Sequence, residues 1–164
     1  MCPTTLAAAM DFARARLLGL LDAIEKSGAD VVKVLAWRPG AGRAHIAWQA
    51  MHCAATHDKY FNAFILGRAA TDEALVSAYG GGSTPVDANI PSLAVIRSAL
   101  AGHFSPFRTH IVGASTEELN RVFKLPNGSE RTVGDATMLL TWHEAHHQGQ
   151  IHLTWNMFKA AHGL

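Results

Sequence analysis

The chain has 164 residues, of which 49% are hydrophobic and 16% charged, with a formal charge of +1. That is enough for one domain with a sizeable core, taken as residues 1–164, and too apolar for a disordered chain. The lysines and arginines are scattered, which excludes the basic footprint of a nucleic-acid binder and makes a small molecule the expected partner.

From Thr4 to about Lys26 the apolar residues Leu6, Met10, Ala13, Leu17, Leu20, Leu21 and Ile24 recur at three- and four-residue steps, the period of an amphipathic helix. A short apolar stretch ending in Trp37 follows, and Arg38-Pro39-Gly40-Ala41-Gly42 breaks regular structure. A second long helix is predicted from about Ala44 to Gly67. Tyr79 to Pro91 contains three consecutive glycines and two prolines and reads as a connection between helical hairpins. A third long helix should run from Ser92 to Val112.

Ser115-Thr116-Glu117-Glu118 has capping-box spacing and opens a short helix, with turn chemistry at Pro126-Asn127-Gly128 and room for a small hairpin there. Thr132-Val133-Gly134-Asp135 supplies another N-cap, so the fourth long helix should occupy about Val133 to Ala161. No alternating β pattern or internal repeat competes with this reading. The expected fold is all-α: a four-helix bundle with long connections and a short extra helix or hairpin before the last helix.

No stretch reaches the ~18 apolar residues needed to span a bilayer, and the first residues lack the basic start of an export signal. Cys2 and Cys53 make no paired framework, so the reducing cytoplasm is the expected compartment. Cys53 reads as a small buried hydrophobe.

Ten histidines stand out beside four tryptophans and two tyrosines. On the last helix Val133, Ala136, Leu140, His143, His147, Ile151 and Phe158 share one stripe, so two histidines interrupt a core-facing row. Residues four apart on a helix are separated by about 6 Å of rise and lie on nearly the same face, which lets the two imidazoles converge. A divalent metal would satisfy both rings; core histidines hydrogen-bonded to protein groups are the equally open alternative.

A third ligand must come from another helix, and His45, His52, His57, His103 and His110 are the candidates. His52 lies mid-helix near the face of Trp48, Met51 and Ala55, the best-buried setting among them. His103 and His110 share a face of the third helix and read as solvated or hydrogen-bonded rings. Trp142 and His146, with Leu139, Leu153 and Met157, form a second stripe on the last helix, read as core packing or a dimer seam.

His52 preceded by Ile46-Ala47-Trp48, together with the run Trp142-His143-Glu144-Ala145-His146-His147-Gln148-Gly149-Gln150-Ile151, resembles the DinB/YfiT-like family. The likeness spans nearly the whole chain and includes the Trp37-x-Pro39 that precedes the second helix; its most specific part is the terminal His-x-x-x-His followed by x-Gly-Gln. The resemblance implies a four-helix bundle with a three-histidine metal site on its inner face, often dimeric, with His52, His143 and His147 as ligands. It also implies one divalent ion, zinc or nickel first and iron or manganese next. Two positions depart from the family pattern: Gln148 stands where many relatives have arginine, and His57 where an acidic residue often follows the first ligand, although Asp58 is adjacent.

Three protein ligands leave a coordination position open to water or substrate, the mark of a reactive rather than a structural centre. Relatives include thiol-dependent transferases and isomerases that use low-molecular-weight thiols, so this activity is the first expectation, with a metal-dependent hydrolase next. A non-catalytic metal-binding stress-response protein and a metal-free interaction bundle are the other classes. Glu144 is expected to face outward and no catalytic acid or base is assigned.

Overall fold

The computed structural model describes residues 2–164. Among them are seven α-helices and one small hairpin. The first, α1 (Pro3–Glu25), begins with proline in its first turn, where the missing N–H has no intrahelical partner to lose. Then come α2 (Val31–Ala36), capped by Asp30, and α3 (Ile46–Asp58), whose N-cap is His45: its Nδ1 accepts from Trp48 N at 3.0 Å. That use of His45 removes it from the candidate ligands.

The second long helix departs from expectation. It is α-helical only to Asp58 and continues as a π-helix, Lys59–Ile65. The cause is tertiary. Asp58 is buried, and its carboxylate accepts from Asn62 Nδ2, Thr71 N, Thr71 Oγ1 and Asp72 N. Asn62 Oδ1 in turn accepts from both Arg68 Nε and Nη2. The side chain is thereby tied to a loop that lies thirteen and fourteen residues on, a constraint invisible to local periodicity. A further short helix, α4 (Glu73–Tyr79), was not foreseen; Asp72 caps it through Leu75 N.

The remaining elements are α5 (Leu93–Val112, capped by Ser92), α6 (Thr116–Asn120, capped by Ser115), strands β1 (Val122–Lys124) and β2 (Glu130–Thr132), and α7 (Val133–His162). The strands pair antiparallel, Phe123 opposite Arg131, across the Pro126-Asn127-Gly128 turn. Gly128 sits at φ 83°, a conformation that side chains disfavour. Thr132 Oγ1 caps α7 by accepting from Asp135 N at 3.0 Å.

The four longest α-helices, α1, α3, α5 and α7, pack as a closed ring, α1 against α5 and α7 and α3 against the same two. The all-α class stands, with three shorter α-helices among the described residues beside these four. None of the described helices is long and apolar enough to cross a membrane.

The core has two apolar parts. One is built around Leu17, Leu21, Ala50, Leu100, Ile151 and Phe158. The other centres on Met10, Phe61, Phe104, Phe107, Ala136 and Leu140. Between these positions along each long helix come polar residues: Arg14 on α1, His52, His57 and Asp58 on α3, His103 on α5, and His143, Glu144 and His147 on α7. The site lies in this polar layer.

Candidate metal centre

His52, His143 and His147 meet. One ring nitrogen from each lies within 4.8 Å of one from each of the others. Ring centroids are 4.9 Å apart for His52 and His143, 4.8 Å for His52 and His147, and 4.5 Å for His143 and His147. The last distance follows from the four-residue spacing on α7, and α3 brings His52 across from the facing helix.

Two of the three rings are held from behind. His52 Nδ1–H donates to Tyr79 O at 2.6 Å, at the C-terminal end of α4, which turns the Nε2 lone pair toward α7. Trp48, one turn earlier on α3, stacks on the same ring at 4.7 Å and 9°. His147 Nδ1 is 3.5 Å from Gln49 Oε1, and Gln49 is anchored through its Nε2 to Ala44 O. His143 Nε2 lies 3.0 Å from His52 Nε2. Since His52 Nε2 can only accept, the His143 Nε2–H donates.

These donors fit a divalent ion. Tetrahedral zinc with bonds of about 2.0–2.1 Å separates its nitrogens by about 3.3 Å. The His52–His143 separation of 3.0 Å is already near that value. Transfer of the His143 proton to Nδ1 would free both lone pairs at once. Burial and then the neighbouring rings push His143 down to about 4 and His147 down to about 3; burial lowers His52 as well, against its bond to Tyr79. All three rings are thus neutral at physiological pH, the form that binds metal.

His52 and His143 also line a cavity of about 370 Å³, walled by Lys59, Tyr60 and Phe64 of the π-helix and by Leu139 of α7. The opening therefore falls beside the rings rather than behind them.

The other candidate histidines are engaged elsewhere. His110 Nε2 donates to Glu118 Oε1 at 2.9 Å, as its hydrogen-bonded reading expected, while His103 Nδ1 stands 3.6 Å from Asp58 Oδ1, beside a carboxylate but beyond hydrogen-bond distance. His57 is buried, and its Nδ1 accepts from Arg14 Nη2 at 3.2 Å. Burial, and then the Arg14 cation, hold it well below the usual histidine range. Arg14 Nη2 also donates to Glu144 Oε2 at 2.9 Å, while Nε stands 2.6 Å from Oε1 in an ion pair too bent for a straight hydrogen bond.

Glu144 is therefore a correction. It is 1% exposed, turned inward and paired. Arg14 was missed, yet it falls four residues after Met10 and three before Leu17, on the buried stripe of α1. A charge inside an apolar row was the available signal. Of the two readings of the Trp142 stripe, core packing is corrected: Trp142 is 59% and Leu153 61% exposed, so neither is core, and His146 lies outside with Gln150 Nε2 at 2.8 Å. Cys53 is buried as expected, and burial pushes its thiol up.

A comparison with curated proteins returns no match. The sequence profile of the DinB superfamily matches residues 9–151, from the first turns of α1 to four residues past His147, and the chain belongs to that superfamily.

Proposed function

We propose that His52, His143 and His147 hold one divalent metal ion, and that the adjoining cavity admits the small-molecule substrate of a transfer or isomerisation dependent on a low-molecular-weight thiol. The observation that carries this reading is that two of the three clustered rings also line a ligand-sized cavity. When bound, the ion would act as a Lewis acid and lower the pKa of a thiol or water reaching it; zinc or nickel suits an all-imidazole set, with iron and manganese next.

The chain's own groups position and shield. The Tyr79 carbonyl orients His52, and the Trp48 ring covers that imidazole on one side. No carboxylate lines the cavity among the described residues, and Glu144 is committed to Arg14. The ion would ease the ionisation of water as well as of a thiol, but water starts from a far higher pKa and gains more from a protein group that takes its proton. A thiol ionises far more readily, so the absence of such a base favours the thiol reading and makes the hydrolase second. A non-catalytic metal-binding stress protein is third, because the cavity gives the rings a ligand-sized opening.

Two free thiols, Cys2 and Cys53, are consistent with the reducing cytoplasm. A homodimer is proposed from the exposed apolar side chains Phe12, Met138 and Trp142, which border one cleft between α1 and α7.

Elemental analysis of untagged protein tests the centre. His147→Ala is expected to lower metal affinity on the order of a hundredfold or more while the helical circular dichroism survives; stoichiometric metal in that variant contradicts the ligand set. Cobalt-loaded protein should gain a sulfur-to-metal absorption band when a low-molecular-weight thiol is added. Its absence with every thiol tried would transfer the argument to the hydrolase.

A further inference from the structure

The cavity beside the histidines has a charge and a shape of its own. Three of its walls come from the π-helix: Lys59, Tyr60 and Phe64. In a turn closed by i→i+5 bonds, residues five apart stack on one face. Lys59 and Phe64 are such a pair, with Nζ 5.8 Å from the ring centroid. Tyr60 meets Phe64 edge to face at 5.0 Å. The rare winding thus gathers a cation and two aromatic rings at one mouth, and such turns occur often at functional sites.

Lys59 has no acidic partner within ion-pair distance among the described residues. Its neighbour Asp58 does not neutralise it, since that carboxylate is buried and accepts from Asn62, Thr71 and Asp72 on the loop leading to α4. The other walls are imidazole, leucine, glycine and the side chain of Thr56, with no carboxylate and no arginine. A single ammonium supplies one positive charge, which a monoanionic carboxylate balances and a phosphate dianion would leave in deficit in a cavity with no second cationic side chain.

We propose that the cavity binds an amphipathic carboxylate, its acid group at Lys59 and its apolar segment against Tyr60, Phe64 and Leu139, with the reactive end toward His52 and His143. This rests on the metal-centre reading for which end reacts, but the Lys59 subsite stands on its own residues. His52 and Lys59 are seven residues apart, about 10 Å along the rod at 1.5 Å per residue.

The test is calorimetric titration of the full chain with phenylacetate and with its neutral analogue phenylacetamide, in zinc-loaded and chelator-treated protein, with metal content measured on the same samples. Phenylacetate is expected to bind about fivefold more tightly than the amide in both forms. Lys59→Gln should remove that preference and leave amide affinity unchanged, whereas Phe64→Ala should weaken both probes alike. Equal binding of the two probes by wild-type protein overturns the proposal, as does a carboxylate preference that survives Lys59→Gln, since the acid would then be ligating metal. A Lys59-dependent preference in protein that takes up no zinc would keep the subsite and discard the metal centre.

Discussion

Two polar clusters sit at the same level of the bundle, on adjacent residues of α7, and they are built on opposite principles. Around Glu144, the charge of Arg14 meets a carboxylate and the neutral His57 accepts from the guanidinium, so the cluster closes on itself. Around His143 the three rings have no carboxylate among them, and two of them, His52 and His143, border a cavity. One cluster has its charges compensated by the fold. The other is a set of neutral imidazoles placed where they could hold an external cation, and this contrast, more than the histidine count, distinguishes a candidate site from a core feature.

Breaking the closed cluster should produce the largest effect. Arg14→Met strands the buried Glu144 carboxylate, and urea unfolding is expected to show a loss of about 3–5 kcal/mol. The double change Arg14→Met with Glu144→Leu should recover most of it, because no uncompensated charge remains. A single variant as stable as the parent would show that the ion cluster is not what holds α1 to α7 there.

Acid should sharpen the contrast next. His143 and His147 fall to about 4 and about 3 in the folded chain against 6.5 when unperturbed, and His57 is also lowered. The unfolded chain therefore takes up protons first as pH falls. Stability is undiminished above 6.5 and declines as pH drops from 6.5 through the folded values. Saturating zinc should move the onset of acid unfolding to lower pH. Acid unfolding indifferent to zinc would show that the open cluster does not bind it.

The smallest change concerns one backbone position. A Cβ on Gly80 would stand 2.4 Å from Val76 O, too close for the turn to remain where it is. That turn follows Tyr79, whose carbonyl orients His52. Gly80→Ala is expected to reduce metal affinity about tenfold, the scale of losing an outer hydrogen bond to a ligand, with the unfolding midpoint little changed. Undiminished affinity would mean that α3 alone orients His52.

The legibility of these features in the chain follows the range of the forces that make them. Helix periods, the caps at Ser115 and Thr132, and the pairing of His143 with His147 are local, set by neighbours three or four residues away, and residue order alone determined them. Order also flagged His52 as a mid-helix histidine, though periodicity left four rivals open and the family likeness made the choice. Tertiary structure decided the rest. The π-helix is held by Asp58 reaching a distant loop, His45 became a cap, and Glu144 turned inward because Arg14 waits on another helix. A buried charge is stable only where its partner is, and a partner more than a hundred residues away leaves no periodic trace in the sequence.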